Sequence, residues 1–177
     1  MNYCKLELSN GYIYLKIYNN IQSGCSLLFL GSIGIIMFFA PILVTIFIIK
    51  ELSFGVIMSW LIGWLVSGYF IRLYLWNKYG EEVFIIQQNK LETYYNYKFF
   101  KDNVRLYNYT KIDTLFFDGE KSFFTNKFKK KDNFPSTSHD QLSSIGFLVD
   151  DNVIRSQNKI PISEIIEIAN CIMNLIN

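Results

Sequence analysis

The chain comprises 177 residues with 17 basic and 15 acidic side chains, a formal charge of +2 and a hydrophobic share of 51%. So small a net charge argues against a nucleic-acid binder, which needs a strongly basic face for phosphate contacts. Three cysteines, Cys4, Cys25 and Cys171, are odd in number and far apart, which speaks against both a disulfide framework and a cysteine metal site.

Residues 1–20 read as a β-hairpin. Leu6 and Leu8 alternate with Lys5, Glu7 and Ser9, and Asn10-Gly11 supplies the φ > 0 pair of a tight turn. Ile13, Leu15 and Ile17 then alternate with Tyr12, Tyr14, Lys16 and Tyr18. A lone hairpin is marginal in water, so this one is expected to pair with strands later in the chain.

Residues 25–78 read as a transmembrane helical hairpin, with helices at about 26–49 and 53–76. Ser26 to Ile49 carries no charge, Lys50-Glu51 interrupts, and Leu52 to Ile71 is again uncharged. A hydrocarbon core of about 30 Å needs roughly 20 helical residues, and only a helix satisfies its own backbone there. The short connection makes the two helices antiparallel. Lys5, Lys16, Arg72 and Lys78 flank the hairpin on one side, against Lys50 on the other, so both termini are expected in the cytoplasm. The apolar run begins too late and is too long for a cleaved signal peptide.

Pro41 removes a backbone donor near the middle of the first helix and predicts a kink. In the second helix Gly55, Ser59, Gly63 and Ser67 recur every four residues, a stripe of small side chains that lets another helix approach closely. Two partners remain open for it: the first helix of the same chain, or the hairpin of a second copy. Tyr69, Tyr74 and Trp76 read as interfacial anchors, with Arg72 snorkelling to the headgroups.

From residue 79 the pattern turns to strands. Val83 to Ile86 is a short apolar run, and Gln87 to Lys90 a turn. Leu91, Thr93, Tyr95 and Tyr97 then alternate with Glu92, Tyr94, Asn96 and Lys98. Lys101-Asp102-Asn103 reads as the next turn, Val104 to Tyr109 as a third strand, and Ile112 to Phe117 as a fourth. Residues 119–144 read as a basic and aromatic loop. Ile145 to Val149 and Val153 to Arg155 form a last hairpin across Asp150-Asp151-Asn152. Pro161 opens a final helix with Ser163, Glu164 and Glu167 in its early turns, where they suit the positive end of the macrodipole. Ile162, Ile165, Ile166, Ala169, Ile172, Met173 and Ile176 give this helix one broad apolar face, suited to lie on or plug a curved sheet.

Strands in meander order closed by one C-terminal amphipathic helix describe a pleckstrin-homology-like fold. The stretch Trp60-Leu-Ile-Gly-Trp-Leu-Val-Ser-Gly68, continued by Arg72, Leu75, Trp76 and Gly80-Glu81-Glu82, sharpens this. It resembles a group of small bacterial membrane proteins in which a two-helix transmembrane hairpin is followed by a bacterial pleckstrin-homology-like (PH-like) domain. There an LW…G.E step leads from the second helix into the first strand, matched here by Leu75, Trp76, Gly80 and Glu81 or Glu82. The resemblance covers residues 56–118 and, more loosely, 145–177, and the chain departs from it at 119–144. It implies an α+β membrane protein: a transmembrane hairpin plus a PH-like β-sandwich or barrel at 79–177, closed by the C-terminal amphipathic helix, in a bacterial cytoplasmic membrane. That residues 1–20 complete the sandwich follows from their own pattern, not from the resemblance.

No reactive constellation stands out. His139 is the single histidine and sits in one run, Pro135-Ser-Thr-Ser-His-Asp140, whereas triad members converge from a rigid scaffold. No Gly-rich phosphate loop follows a strand. Catalytic, cofactor-binding and metal-binding residues are therefore expected to be none. Functional colour falls on Lys127, Lys129, Lys130 and Lys131, interleaved with Phe128 and flanked by Phe123, Phe124 and Phe134. Beside an anionic leaflet each lysine is attracted by about 1 kcal/mol, so this loop is a candidate lipid or partner contact; a solvated surface insertion is the alternative. The expectation is a non-enzymatic, membrane-anchored binding module presenting a PH-like domain to a protein partner or anionic lipid. A self-assembling membrane scaffold and an immunity-type protein neutralising a membrane-directed toxin are the alternatives.

Overall fold

A computed structural model describes residues 3–9, 11–19, 24–47, 53–125 and 141–176. The fold is α+β and divides into two compact units, Met1–Asn20 with Gly80–Asn177, and Ile21–Tyr79.

In the first unit β1 (Cys4–Ser9), β2 (Tyr12–Tyr18), β3 (Glu81–Gln87), β4 (Lys90–Asn96) and β5 (Lys101–Asn108) form one antiparallel sheet in sequence order. Gly11 takes φ +89°, the left-handed conformation that the β1–β2 turn requires. β2 pairs with β3 from Tyr12↔Gln87 to Tyr18↔Glu81, so the N-terminal hairpin is stitched to a strand that lies beyond both long helices in sequence. β6 (Ile112–Asp118), β7 (Lys121–Phe124), β8 (Leu142–Val149) and β9 (Asn152–Pro161) form a second sheet in the order β7-β6-β8-β9. Among the described residues the two sheets stay separate, so the sandwich-or-barrel expectation resolves against a closed barrel.

Period-two alternation decides what lies between the sheets. Ile13, Leu15 and Ile17 from β2 and Ile86 from β3 are fully buried, facing Phe116, Ile145 and Phe147 of the second sheet. Phe84 and Phe147 meet with ring centroids 5.2 Å apart. α3 (Ile162–Ile176) lays Ile162, Ile165, Ile168 and Ile172 into the same core and packs against β2, β6, β8 and β9. Each such side chain contributes about 1.5–3 kcal/mol of burial, so the helix is an integral wall of the core. The Cys4 thiol of β1 donates to Glu164 of α3 at 3.0 Å, and burial, reinforced by that carboxylate, pushes its pKa up to about 12. That shift favours the thiol over the nucleophilic thiolate.

Two local readings are corrected. Residues 119–144 are not all loop: Gly119, at φ +63°, turns the chain into β7, whose Phe123 stacks on the buried Phe116 at 5.2 Å. Aromatic packing thus overrides the polar surroundings of that short segment, and β8 starts at Leu142. Lys101-Asp102-Asn103 is likewise not a turn but the start of β5. The turn lies at Tyr97–Phe100, where the Tyr97 N–H donates to the Phe100 carbonyl at 3.0 Å and the two rings stack at 4.6 Å. Asn103, at φ +51°, instead sits in a bulge, because Thr93 pairs with Arg105 but Tyr95 with Asp102.

The second unit is the antiparallel pair α1 (Gly24–Phe47) and α2 (Phe54–Tyr79). Both helices are long and apolar enough to cross a membrane, with mean hydropathies of 2.6 and 1.7. Their contact is built from small residues. Ser67 donates to the Gly34 carbonyl at 2.8 Å, and a Cβ at Gly34 would lie 2.9 Å from Ile71 Cγ1. A Cβ at Gly63 would lie 2.9 Å from the Pro41 ring and 3.7 Å from the Met37 carbonyl oxygen. That carbonyl is the one Pro41 deprives of its helical donor, so the closest approach falls where α1 lacks an N–H. Trp60 donates to Thr45 at 2.9 Å further along the seam. Gly63→Leu is therefore expected to disrupt the hairpin by about 1–3 kcal/mol through overpacking, whereas the exposed Ser59→Leu leaves it intact. Thermal unfolding in detergent, followed by the near-ultraviolet signal of Trp60 and Trp64, reads the difference; equal losses in the two variants would refute this seam.

Candidate functional site

The clearest site in the β unit grows from a defect in a strand ladder. β8 and β9 pair Ser144 with Lys159 and Gly146 with Arg155, leaving Ile145 opposite Ser156, Gln157 and Asn158. Ser156 supplies the missing ladder bonds: its hydroxyl accepts the Ile145 N–H at 3.1 Å and donates to the Asn158 carbonyl at 2.8 Å. The bulge thereby presents the Gln157 and Asn158 N–H groups to the other sheet, where Glu82 Oε1 of β3 accepts both, at 2.8 and 3.3 Å.

Glu82 shares the parity of Phe84 and Ile86 and therefore points between the sheets, only 2% exposed. Its other oxygen, Oε2, is buried without a hydrogen-bond partner. Burial raises its pKa to about 7, and the two backbone N–H bonds offset this only in part. A buried, only partly satisfied carboxylate with a raised pKa is a candidate functional group.

Glu82 is among the residues that line a cleft of about 150 Å³ between β3–β5 of one sheet and β9 of the other. Tyr95 stands directly opposite Glu82 in the β3–β4 ladder. Its phenol is raised above the ordinary value by burial and then by the Glu82 charge, while a hydrogen bond from Asn103 and the Arg105 guanidinium counteract. Arg105 enters from β5 and donates from Nε to Asn103 at 3.0 Å. Arg155 lines the β9 edge, but its guanidinium lies 4.5 Å over the Phe117 ring. A cleft this size holds one ring-sized group. Among the described residues no cluster of three or more His, Cys, Asp or Glu side chains is placed to hold a metal.

The residues singled out from the sequence fall elsewhere. Lys127, Lys129, Lys130, Lys131, Phe128 and His139 lie outside the described residues. Phe123, grouped above with the lipid-facing aromatics, instead packs on the core, as its stacking on Phe116 shows. Gly63 and Ser67 face α1, while Gly55 and Ser59 are exposed. Tyr74 packs beside Gly31, whose added Cβ would lie 3.2 Å from its ring, and its hydroxyl accepts from Lys78 at 2.9 Å. Arg72 is exposed near the α2 C-terminus, and Trp76 is half-buried one turn further on. Glu82 entered the sequence reading only as part of the LW…G.E step. The signal that finds it is its parity: an acid two and four residues before core aromatics and aliphatics must point inward.

A scan against protein-family models and a search of curated proteins each return no match to this chain.

Proposed function

We propose that the chain is a non-enzymatic binding module held in a bacterial cytoplasmic membrane by the α1–α2 hairpin, with both termini and a PH-like β unit on the cytoplasmic side. The observation that carries the anchor is exposure: only 6% of the most apolar stretch of either helix is buried. Leu28, Phe47 and Leu65 are 72%, 80% and 75% exposed, which in water would be an aggregation surface and in hydrocarbon is a solvated one. The Glu82 cleft supports recognition of a protein partner, its size matching one inserted lysine or amide side chain. Lys127, Lys129, Lys130, Lys131 and Phe128 belong to the same proposal as an accessory contact with anionic lipid.

Alkaline carbonate washing of membranes from producing cells tests the anchor. Retention in the pellet is expected; release of the full chain into the supernatant would refute it. A second reading, self-assembly in the membrane, is favoured by Gly55 and Ser59, the two members of the small-residue stripe left exposed once α1 is in place. A dimer lost on Ser59→Leu, with the hairpin intact, would support that reading over the first.

A further inference from the structure

The β unit has two unlike ends. In the first sheet β1, β3 and β5 run one way and β2 and β4 the other. One end therefore carries the β1–β2 turn at Gly11, with Leu8 and Tyr12 exposed beside it, and the β3–β4 turn at Gln88-Asn89, which is polar. The other end collects the end of β2 at Tyr18, the start of β3 at Glu81 and the β4–β5 turn, since Tyr18 pairs with Glu81 and Glu81 with Asn96. Asn19 and Gly80, where the chain leaves toward α1 and returns from α2, are joined by an N–H···O bond of 3.0 Å at this end. Both covalent junctions with the helical unit thus emerge beside the β4–β5 turn.

That turn offers two adjacent aromatic side chains at a tip. Phe99 is 69% and Phe100 43% exposed. The turn is stiff: Lys98 takes φ +73°, its N–H donates to Asn96 Oδ1 at 3.1 Å, and Tyr97 stacks on Phe100. Lys98 and Lys101 flank the two phenylalanines, with the Lys101 ammonium 4.3 Å over the Tyr94 ring. The acids nearby are engaged locally, Glu81 by the Asn96 amide at 3.0 Å and Asp102 by the Asn103 N–H at 2.8 Å. Exposed aromatics framed by lysines on a rigid turn are the side-chain chemistry of the membrane–water boundary: rings reach the acyl edge and ammonium groups the phosphates.

We propose that the β4–β5 turn seats Phe99 and Phe100 in the headgroup region of the bilayer that carries α1 and α2, with Lys98 and Lys101 at the phosphate level. The occupant is the lipid surface itself, argued from chain continuity: Gly80 alone separates the end of α2 at Tyr79 from Glu81, which pairs with Asn96 at the foot of the turn. This rests on the membrane-anchor reading. It adds a second attachment that restrains the β unit against the surface.

The test uses the full chain in nanodiscs of phosphatidylcholine and phosphatidylglycerol, carrying a photoreactive benzophenone amino acid in place of Phe99 or, as control, Gln88 at the opposite end. Both positions are exposed turn residues, so neither replacement threatens the fold. On illumination a several-fold excess of lipid adduct at position 99 over 88, detected by intact mass, is expected. Lipid adducts equal at the two positions, or adducts only to a second protein chain, with the helices retained in the disc, would overturn the turn's role and leave the anchor standing. Failure of the chain to enter discs at all would overturn both.

Discussion

Glu82→Leu is expected to lower the stability of the β unit by about 2 kcal/mol or more, because it strips the Gln157 and Asn158 N–H groups of their acceptor in a buried place. Glu82→Gln keeps an acceptor oxygen in position and is expected to behave differently, with the difference set by pH. The native carboxyl binds its proton more tightly than the unfolded one, with a pKa raised from 4.5 to about 7 by burial. Between those values the folded chain holds a proton that the unfolded chain has released. Stability from this group is therefore complete below the unfolded pKa, falls as pH rises through the window, and levels off above about 7. The fall amounts to about 3 kcal/mol. Urea unfolding of wild type and Glu82→Gln at pH 5, 6, 7 and 8 reads it directly. The wild type should lose stability relative to Glu82→Gln across the series, and parallel pH profiles would show that Glu82 does not titrate in the fold. A partner that donates to Oε2 would flatten the slope, since it stabilises the ionised form and lowers the folded pKa toward the unfolded value.

Gly146→Val is expected to cost about 3 kcal/mol, the upper part of the overpacking range. A Cβ at this position would clash with Phe117 Cε2 and lie 3.3 Å from the Ile154 carbonyl oxygen. The Phe117 ring cannot move away freely, because it is 9% exposed and carries the Arg155 guanidinium at 4.5 Å from its centroid. Only a hydrogen in place of a side chain lets that ring lie over the strand. Introducing Phe117→Leu into the Gly146→Val chain should recover part of the loss, with a coupling of about 0.5–3 kcal/mol. Thermal denaturation followed by far-ultraviolet circular dichroism checks both. A Gly146→Val midpoint within a degree or two of wild type would mean that this close approach does not exist.

Both predictions concern residues that the sequence left in the background, and the reason is physical. Local signals were legible because they act over a few residues. The uncharged runs either side of Lys50-Glu51, the alternation around Gly11, and the three- and four-residue spacing of Ile162, Ile165 and Ile172 each specify an element by its own neighbours. Those signals yielded the two long apolar helices, most strands and the final helix. They failed where a short strand is held by a distant ring, as Phe123 is by Phe116, and at the β4–β5 turn. There the polar run Lys101-Asp102-Asn103 mimics a turn, whereas the actual one is closed by the aromatic pair Tyr97 and Phe100.

What the sequence alone determined is therefore the inventory of elements and the apolar surface of α1 and α2, since hydrophobic length and periodicity are properties of contiguous residues. Tertiary structure decided which groups meet. It brought the β9 bulge across to Glu82, laid Phe117 over Gly146, set Gly63 against the donor-free turn at Pro41, and gathered Phe99 and Phe100 beside both chain junctions. Each of these depends on register between elements far apart in the chain, and in the strands a shift of one residue would turn every side chain to the other face.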